Sequence, residues 1–558
     1  MVSNWSIDYV LHVHEWRNKM QKAGKLELTW VGKYDEVAVE PRILIEDPSK
    51  SYGDPNSKNM LIHGDNLIAL QALQQDFAGK IKCIYIDPPF NTGAAFEHYD
   101  DSVEHSIWLT LMRQRFELLK SLLSDDGCIF VNLDDSESAY CKVLMDEIFG
   151  RGNYLNEIIV ATNKSFGFKS TSDGIFKQAN HLLFYAKDKY SFAINTQKLY
   201  VEKGYDPAYN LVFENCDFPE SEWTWRNIKE VVAESLGCTS TKEAASKFGA
   251  QFDVEVSQFA IENASRVFQL ASVTGGALQK RKSTIEYSKQ NKNIIVRHPN
   301  DDMDYMFIGG RRVIPYSDRI MNIDGVNVPG ELITDIWDDI SIEALAKEGG
   351  VDFPKGKKPE KLIKRCVELT SNEGDYILDS FAGSATTAAV AHKMNRKWVT
   401  IELGEQAYTH CKIRLDKVVD GEQSGISKSV NWQGGGGYKF YDLAPSLLIK
   451  NPVLPVYQIN PEYTFEMLCE AICKIEGFRY KVDGVYHGYS SEKRFIHITK
   501  EFINAEYIKT VAVTLGEDQS LLIYGTKIQS GLRLPNNIEV KKIPKDLLEK
   551  CTFESEVR

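Results

Sequence analysis

Two separate parts of this chain alternate short apolar runs with amphipathic runs, and this alternation constrains the fold more than any other feature. In the first part the sequence predicts strands at residues 60–62, 81–86 and 128–133, with a helix over 108–123. In the second part it predicts a helix over 359–369, strands at 376–378 and 398–401, and a helix ending at 394. Strands that alternate with helices form βαβ units, so the pattern predicts a doubly wound, parallel α/β sheet.

The segment between these parts breaks the alternation. It contains a capping box, Ser240-x-x-Glu243, and a basic stretch over 280–297 with six Lys or Arg residues against one acid, Glu286. We therefore predict an inserted module at 191–330, flanked by two halves of the sheet domain at 56–190 and 331–442. An N-terminal helical arm is predicted at 1–55, with its helix at 9–22.

A four-glycine run at 434–437 separates the sheet domain from a small α/β C-terminal domain, predicted at 443–558. Its helix is predicted to start at Asn460-Pro461, a cap followed by proline at the first helical position, and to end near Gly477. Short strands are predicted at 495–498, 511–514 and 521–524.

The four residues Asp87-Pro88-Pro89-Phe90 directly follow the strand at 81–86. Two prolines after an acid make a stiff loop at the edge where open α/β sheets bind ligands. The Asp87 carboxylate and the Pro88 carbonyl can accept both N–H bonds of an exocyclic amine, and Phe90 can stack on a base that has left the duplex. Taken alone, these residues are equally compatible with a strand-terminating turn.

A second loop, Asp379 to Thr386, joins a strand to a helix through small residues. This arrangement permits close backbone approach and presents a helix N-terminus, as in sites for nucleotide-like cofactors. Glu402 ends the next strand, near the spacing of about 20 residues at which an acid meets ribose hydroxyls. The combination predicts a cofactor site.

These residues carry a family resemblance. Residues 84–93, with the order Ile-Tyr-Ile-Asp-Pro-Pro-Phe-Asn-Thr-Gly, resemble motif IV of the amino-methyltransferases, and Asp379-x-Phe381-x-Gly383-Ser384-x-Thr386-Thr387 resembles their motif I. The order, with the catalytic motif first, is similar to the circularly permuted β-class, in which a target recognition domain lies between the motifs.

Further motifs resemble the modification subunits of type III restriction systems over about 60–190 and 335–440. These motifs are His63-Gly64-Asp65-Asn66-Leu67, Trp108-Leu109 with Met112 and Arg113, Asp134-Asp135, Asp146-Glu147-Ile148-Phe149-Gly150, Lys358-Pro359-Glu360-Lys361-Leu362, Arg396-Lys397-Trp398 and the glycine run at 434. The resemblance implies a Rossmann-like, permuted methyltransferase sheet that uses S-adenosyl-L-methionine as cofactor.

The resemblance also assigns roles to residues. The target base would be held by Asp87, Pro88, Pro89 and Phe90, and the cofactor pocket would be lined by Asp379, Phe381, Gly383, Ser384 and Thr386. Glu402 would bind the ribose and Asp65 would lie near the cofactor adenine, although Gly64-Asp65-Asn66 can also be a plain turn. One residue departs from the family pattern, because Ala385 stands where a second glycine is usual, and a left-handed backbone there would be strained.

In the inserted module, six basic residues are predicted to contact DNA phosphates, with Tyr287 and Tyr305 interleaved. They are Lys280, Arg281, Lys282, Lys289, Arg311 and Arg312. An ordinary charged surface is the alternative. For Lys355, Lys357 and Lys358 a solvated face and a cofactor or DNA contact both remain open.

Composition and missing motifs limit the alternatives. The net charge of −12 argues against binding to nucleic acid by overall charge, though local Lys/Arg clusters can still contact phosphates. None of the ten cysteines follows proline, which argues against methylation of cytosine at carbon 5, and no Gly-x-x-x-x-Gly-Lys-Ser/Thr loop is present for ATP hydrolysis. The uneven cysteine spacing, with Cys469 and Cys473 on one predicted helix face, predicts free thiols and no metal site.

The sequence therefore predicts a DNA amino-methyltransferase that acts at N6 of adenine. Methylation at N4 of cytosine, a catalytically silent specificity subunit and a dinucleotide-dependent oxidoreductase stay open. The partners expected are duplex DNA with a flipped base, a second copy of the chain and an ATP-dependent restriction subunit carrying nuclease and helicase activities. No run of 18 apolar residues and no signal-peptide pattern is found, so we expect a cytoplasmic protein without membrane contact.

Overall fold

The computed structural model describes residues 27–34, 42–90, 105–161, 178–299, 305–323, 325–340, 345–353, 356–491 and 493–548. The predicted N-terminal helix, residues 91–93 of the first motif and Lys355 lie outside the described residues. The chain divides into two compact units, one formed by Met1–Ile194 with Asp335–Arg558 and the other by Asn195–Thr334.

The elements are numbered here in chain order. The first strands are β1 (Leu44–Glu46), β2 (Tyr52–Gly53), β3 (Met60–His63), β4 (Ile81–Ile86), β5 (Leu123–Leu133), β6 (Tyr154–Ala161) and β7 (Ala179–Ala186). The second unit contains β8 (Tyr200–Glu202), β9 (Leu211–Glu214), β10 (Thr224–Asn227), β11 (Val267–Ala271), β12 (Val296–Arg297), β13 (Met306–Ile308), β14 (Arg311–Pro315), β15 (Ile320–Ile323) and β16 (Val326–Leu332). Then follow β17 (Ile336–Trp337), β18 (Tyr376–Asp379), β19 (Lys397–Glu402), β20 (Gly437–Leu443), β21 (Leu448–Lys450), β22 (Tyr457–Ile459), β23 (Arg479–Asp483), β24 (Tyr486–Ser491), β25 (Arg494–Ile503), β26 (Ser520–Ile528) and β27 (Ile538–Lys542).

The α-helices are numbered in the same way. They are α1 (Asn66–Phe77), α2 (His105–Leu122), α3 (Ser138–Met145), α4 (Ile228–Ser235), α5 (Thr241–Phe248), α6 (Ala250–Glu262), α7 (Gly275–Lys280), α8 (Lys282–Gln290), α9 (Glu360–Thr370), α10 (Thr386–Lys393), α11 (Ile413–Val419), α12 (Phe465–Ile475), α13 (Ala505–Val511) and α14 (Lys545–Leu548).

A mixed sheet organises the first unit, in the order β1-β20-β3-β19-β18-β4-β5-β7-β6-β17, with β2 paired to β20. The six neighbours from β20 to β5 are all parallel, so their carboxyl ends lie at one edge. This confirms the predicted parallel α/β sheet. Near-continuous apolar runs such as β4 are buried because helices cover both faces of such a sheet.

The chain leaves β4 toward β5 on one side and leaves β18 toward β19 on the other side. The strand order therefore reverses between β18 and β4, which are hydrogen-bonded neighbours. Open α/β sheets bind ligands outside the carboxyl ends of the strands at such a reversal. The two loops singled out in the sequence follow these two strands.

The part of the first unit after β22 contains the sheet β23-β24-β25-β26-β27, in which β25, β26 and β27 are parallel. Two predictions for this region are wrong, namely the start of the helix at Asn460-Pro461 and the strand at 511–514. Helix α12 begins at Phe465 with Thr464 as its cap, because the Asn460 side chain instead accepts from the Glu462 N–H within a preceding turn. Cys469 and Cys473 on that helix are both buried.

The predicted strand at 511–514 is instead the end of helix α13 and a following 3₁₀ turn. The Asn504 side chain caps this helix by accepting from the Tyr507 N–H, 2.8 Å away. Ile508 and Val511 are both buried, which is the three-residue spacing of one helical face. The β-branched residues at 511–514 favour a strand, but the Asn504 cap and the burial of one helical face favour the helix instead.

The second unit has a six-stranded antiparallel sheet, β10-β9-β11-β14-β13-β12, and a three-stranded sheet, β15-β16-β8. The predicted capping box is present in altered form. Ser240 accepts from the Glu243 N–H at 3.2 Å, but the Glu243 carboxylate accepts from the N–H of Thr239, one residue before the cap. Among the helices of the described residues, none has the length and apolarity needed to cross a membrane.

Candidate active site

Asp87 directly follows β4, and both of its carboxylate oxygens have partners. Asn132, fully buried on β5, donates its side-chain N–H to Oδ1 at 2.8 Å. The Lys358 ammonium lies 2.7 Å from Oδ2. The carboxylate is therefore held from the neighbouring strand on one side and from the segment before α9 on the other.

The two prolines after Asp87 are fixed by Trp108 of helix α2. Its indole N–H donates to the Pro89 carbonyl at 2.9 Å, and the ring is buried. Phe90 packs at the margin of the main core cluster, and the Lys358 ammonium lies 4.8 Å from its ring centroid. The corner is thus rigid through both proline geometry and a long-range hydrogen bond.

The small-residue loop after β18 is held by hydrogen bonds from its backbone N–H groups to two carboxylates. The Asp379 carboxylate accepts from the Phe381 N–H at 2.9 Å, and the Gly383 N–H donates to Glu402 Oε2 at 2.7 Å. Gly383 has φ +55° and Ala385 has φ +57°. The departure noted in the sequence therefore places alanine in the left-handed region, where a Cβ costs about 1–2 kcal/mol.

Asp379 is 4% exposed and lies at the end of a strand between two other buried strands. Burial raises the pKa of this carboxyl from 3.8 to about 7, and the hydrogen bonds from Thr387 and the Phe381 N–H oppose the rise. The nearby acids Asp87 and Glu402 raise it further. A carboxyl group at this position can exchange a proton near neutral pH.

The side chains of Ser384 and Thr386 are directed toward a buried ion network. Arg414, fully buried, donates to Thr386 Oγ1 at 2.7 Å and lies 3.3 Å from Ser384 Oγ. Arg414 also pairs with Glu360 at 2.8 Å, and Glu360 pairs with Lys393 at 2.9 Å. The two hydroxyls therefore anchor the loop and the start of α10, a contact that the sequence did not predict.

Asp65 lies at the carboxyl end of β3, beside Glu402, whose carbonyl accepts from the Gly64 N–H at 2.9 Å. Its Oδ1 accepts from the N–H groups of Leu67 and Ile68 at 2.8 and 3.3 Å and so caps helix α1. Locally, Gly64-Asp65-Asn66 therefore has the geometry of the plain turn that was the alternative to a cofactor contact. The next residue, Asn66, donates to the Ser380 carbonyl at 2.8 Å. This turn is thereby linked to the small-residue loop.

The structure thus brings the predicted residues to one edge, at the ends of β3, β19, β18 and β4. Asn132, Arg414 and the pairing of Lys358 with Asp87 were not predicted from the sequence. A signal existed for Asn132, since it is a polar residue inside the apolar run of β5. The partners of Arg414 and Lys358 are distant in sequence and leave no local signal.

In the second unit, the basic residues predicted to contact DNA have different exposures. Lys280, Lys282, Lys289 and Arg311 are exposed. Arg281 is 5% exposed, and its guanidinium and that of Arg312 lie 3.7 and 4.1 Å from the Tyr305 ring centroid. This corrects the prediction for Arg281, whose guanidinium packs inside the unit instead of presenting at its surface.

The described cysteines, nine of the ten, are free thiols. Within the described residues no group of three or more His, Cys, Asp and Glu side chains is arranged to hold a metal ion.

Comparison with known proteins identifies relatives. The "Probable type III restriction-modification enzyme HindVI Mod subunit" of Haemophilus influenzae is 36% identical over 75% of this chain and 58% of its own length. The type III StyLTI Mod subunit of Salmonella typhimurium is 27% identical over 64% of this chain and 53% of its own length. The chain therefore spans little more than half the length of these relatives.

Solved structures matched by this chain include the M1.HpyAVI–SAM complex, at 12% identity, a TM-score of 0.30, and coverage of 64% of this chain and 99% of that chain. The cytosine-N4-specific PvuII DNA methyltransferase gives 13% identity and a TM-score of 0.30, with coverage of 67% and 91%. A sequence family described as DNA methylase matches residues 81–412, which is more than half of the chain. The resemblance found in the motifs is thereby confirmed, and the chain belongs to the DNA methylase family.

Proposed function

We propose that this chain transfers a methyl group from S-adenosyl-L-methionine to the N6 amino group of adenine in duplex DNA. The observation that carries the proposal is the adjacency of the two loops. Asp87 directly follows β4 and Asp379 is the last residue of β18, and these two strands are paired in parallel at the point where the strand order reverses. A group held by one loop faces a group held by the other.

The residues at this edge fit the proposed cofactor. Gly383 presents backbone without a side chain, and the Glu402 carboxylate lies against it. Ribose hydroxyls need an acidic acceptor of this kind, and the start of α10 adds a helix N-terminus. Asp379, Phe381 and Gly383 would hold the cofactor with Glu402 and Asp65, while Ser384 and Thr386 would act by anchoring the loop. The bound cofactor supplies a sulfonium methyl group that an amine nitrogen can attack in line.

The residues of the Pro-Pro corner act on the other reactant. Asp87 and the Pro88 carbonyl accept the N–H bonds of the exocyclic amine, which directs the nitrogen lone pair out of the ring plane. Phe90 stacks on the base, and Trp108 keeps the corner rigid through the Pro89 carbonyl. Holding both reactants in position can lower the barrier by about 7–11 kcal/mol.

Adenine is favoured over cytosine by the residue at the head of the corner. Asp87 stands there, whereas the permuted cytosine enzymes resembled by this chain more often have serine. A catalytically silent subunit would not need the buried Asn132 donor that orients Asp87, and an oxidoreductase would leave the Pro-Pro corner without a role.

The relatives named as type III Mod subunits support a place in a restriction-modification system. We infer that the chain is the modification subunit, that it acts in the cytoplasm and that it pairs with a second copy. An ATP-dependent restriction subunit is the expected partner for cutting. Residues 195–334 would be the target recognition domain, with Lys280, Lys282, Lys289 and Arg311 as exposed cations for DNA phosphates.

The test is transfer of labelled methyl groups from S-adenosyl-L-methionine to DNA, followed by digestion to nucleosides and identification of the modified base. N6-methyladenosine in the deoxy form is expected, and Asp87→Ala should abolish transfer while cofactor binding by calorimetry persists. Asp125→Ala, at a carboxylate 87% exposed, is the matched control. Labelled N4-methylcytosine would establish the alternative, and full activity of Asp87→Ala would overturn the role of the carboxylate.

A further inference from the structure

Lys358 lies where two requirements of the proposed reaction meet. Its ammonium is 2.7 Å from Asp87 Oδ2 and 4.8 Å from the centroid of the Phe90 ring. In the proposed reaction that carboxylate accepts an amine N–H, and that ring stacks on the base. The ammonium therefore occupies both the acceptor and the stacking surface that the base needs.

We propose that Lys358 is a displaceable gate, whose ammonium holds the pocket of Asp87 and Phe90 until an extrahelical base replaces it. This inference rests on the proposed function and adds a control step to the same site. Lys358 is a positioning residue in this scheme, because it leaves the reacting groups before the methyl group moves.

The backbone beside Lys358 is anchored on both sides. The Lys357 side chain is buried and donates to the Val351 carbonyl at 2.8 Å, and the Glu360 N–H donates to Glu348 Oε2 at 3.0 Å. A lysine side chain on a four-carbon stem can rotate while such a backbone stays in place. The gate can thus open without rearrangement of the segment that carries it.

Asp87 keeps its orientation when the ammonium leaves. Asn132 donates to the other oxygen from the buried interior of β5, and this contact does not involve Lys358. The side chains of Asp87 and Lys358 are only 19% and 12% exposed, so water replaces a lost partner poorly.

This geometry favours bases with an exocyclic amine. An amine supplies an N–H donor to the carboxylate in exchange for the ammonium, whereas a base without one leaves a half-buried carboxylate short of a partner. Contacts of the remaining DNA supply the free energy that displaces Lys358, so base entry depends on binding elsewhere.

The experiment measures methyl-transfer kinetics on a duplex whose modified position has been located by sequencing that detects modified bases. Lys358→Met removes the competing ammonium, so we expect KM for DNA to fall about tenfold with kcat retained, since a charge-assisted hydrogen bond contributes on this scale. Lys358→Arg offers a planar pair of donors to the carboxylate and should raise KM. Lys358→Gln, a neutral donor, should lie between Met and wild type.

Lys361→Met is the matched control. It removes a lysine that is 53% exposed at the start of α9, three residues after Lys358, and Asp339 keeps its Arg365 partner. Wild-type kinetics are expected. A duplex with 2-aminopurine beside the modified adenine gives an independent readout, and its fluorescence should report more extrahelical adenine with Lys358→Met than with wild type.

An unchanged or raised KM in both Lys358→Met and Lys358→Gln overturns the gate. Loss of kcat in these variants also overturns it, because Lys358 would then be a catalytic residue. A raised KM with the slope of binding against salt reduced by about one would instead identify a phosphate contact. Wild-type protein that transfers no methyl group to DNA refutes the proposed function itself. Wild-type transfer with the wrong order of variants refutes only the gate.

Discussion

Replacing Asp379 by asparagine should make the stability of the protein less sensitive to pH. The carboxyl is 4% exposed, and burial raises its pKa from 3.8 to about 7. The folded protein therefore keeps this proton up to about pH 7, whereas the unfolded chain loses it near pH 4. Because the folded state binds more protons in that window, its stability falls as pH rises through it, and the loss is complete above about pH 7.

The size of the effect follows from the two pKa values. The difference between 3.8 and about 7 corresponds to about 4 kcal/mol, of which about 3 kcal/mol is lost between pH 5 and pH 8. Asparagine retains an oxygen that accepts the Phe381 N–H but carries no titrating group. The Asp379→Asn variant should therefore gain stability relative to wild type by about 3 kcal/mol as pH rises from 5 to 8.

The assay is thermal unfolding of both proteins at pH 5, 6, 7 and 8, monitored by circular dichroism. A gain of this size raises the midpoint of the variant relative to wild type by about 3 °C over the range, because unfolding the unit of Met1–Ile194 with Asp335–Arg558 changes the entropy by about 0.9 kcal/mol/K. Asp125→Asn, at a carboxylate 87% exposed, is the control and should give a difference that does not change with pH. A midpoint difference for Asp379→Asn that is constant or that shrinks as pH rises would refute the reasoning.

Two further substitutions test the loop that Asp379 begins. Ala385→Gly should stabilise the protein by about 0.5–1 kcal/mol, because the strain that it removes at φ +57° exceeds the cost of glycine's greater freedom in the unfolded chain. The control is Ala388→Gly inside α10, which should instead destabilise the protein by about 1 kcal/mol. Urea unfolding measures both, and equal losses would show that Ala385 is unstrained. Arg414→Met should destabilise the protein by about 3–5 kcal/mol, because it removes one charge from the buried network of Arg414, Glu360 and Lys393. Lys417 is exposed on the same helix, so Lys417→Met should have little effect on the unfolding midpoint.

Much of the fold was predictable because it depends on short-range patterns. The apolar runs that form β3, β4, β18 and β19 end within one or two residues of the predicted bounds. Where prediction failed, at 460 and at 511–514, the local sequence offered two competing choices. Either Asn460 or Thr464 could cap the helix, and the β-branched segment at 511–514 could form a strand or a helix. In both cases packing in the folded chain decided which choice was realised.

The sequence by itself determined where the loops of the site begin, because the apolar runs of β4 and β18 fix the strand ends and the Asp379–Phe381 contact lies within its loop. It could not determine what lies against those loops. Lys358 reaches Asp87, Asn132 orients it and Arg414 anchors Thr386 only because the sheet places their elements side by side. Local periodicity fixes which residues are buried, whereas the order of strands in the sheet decides which buried and half-buried charges meet, and that order exists only in the folded chain.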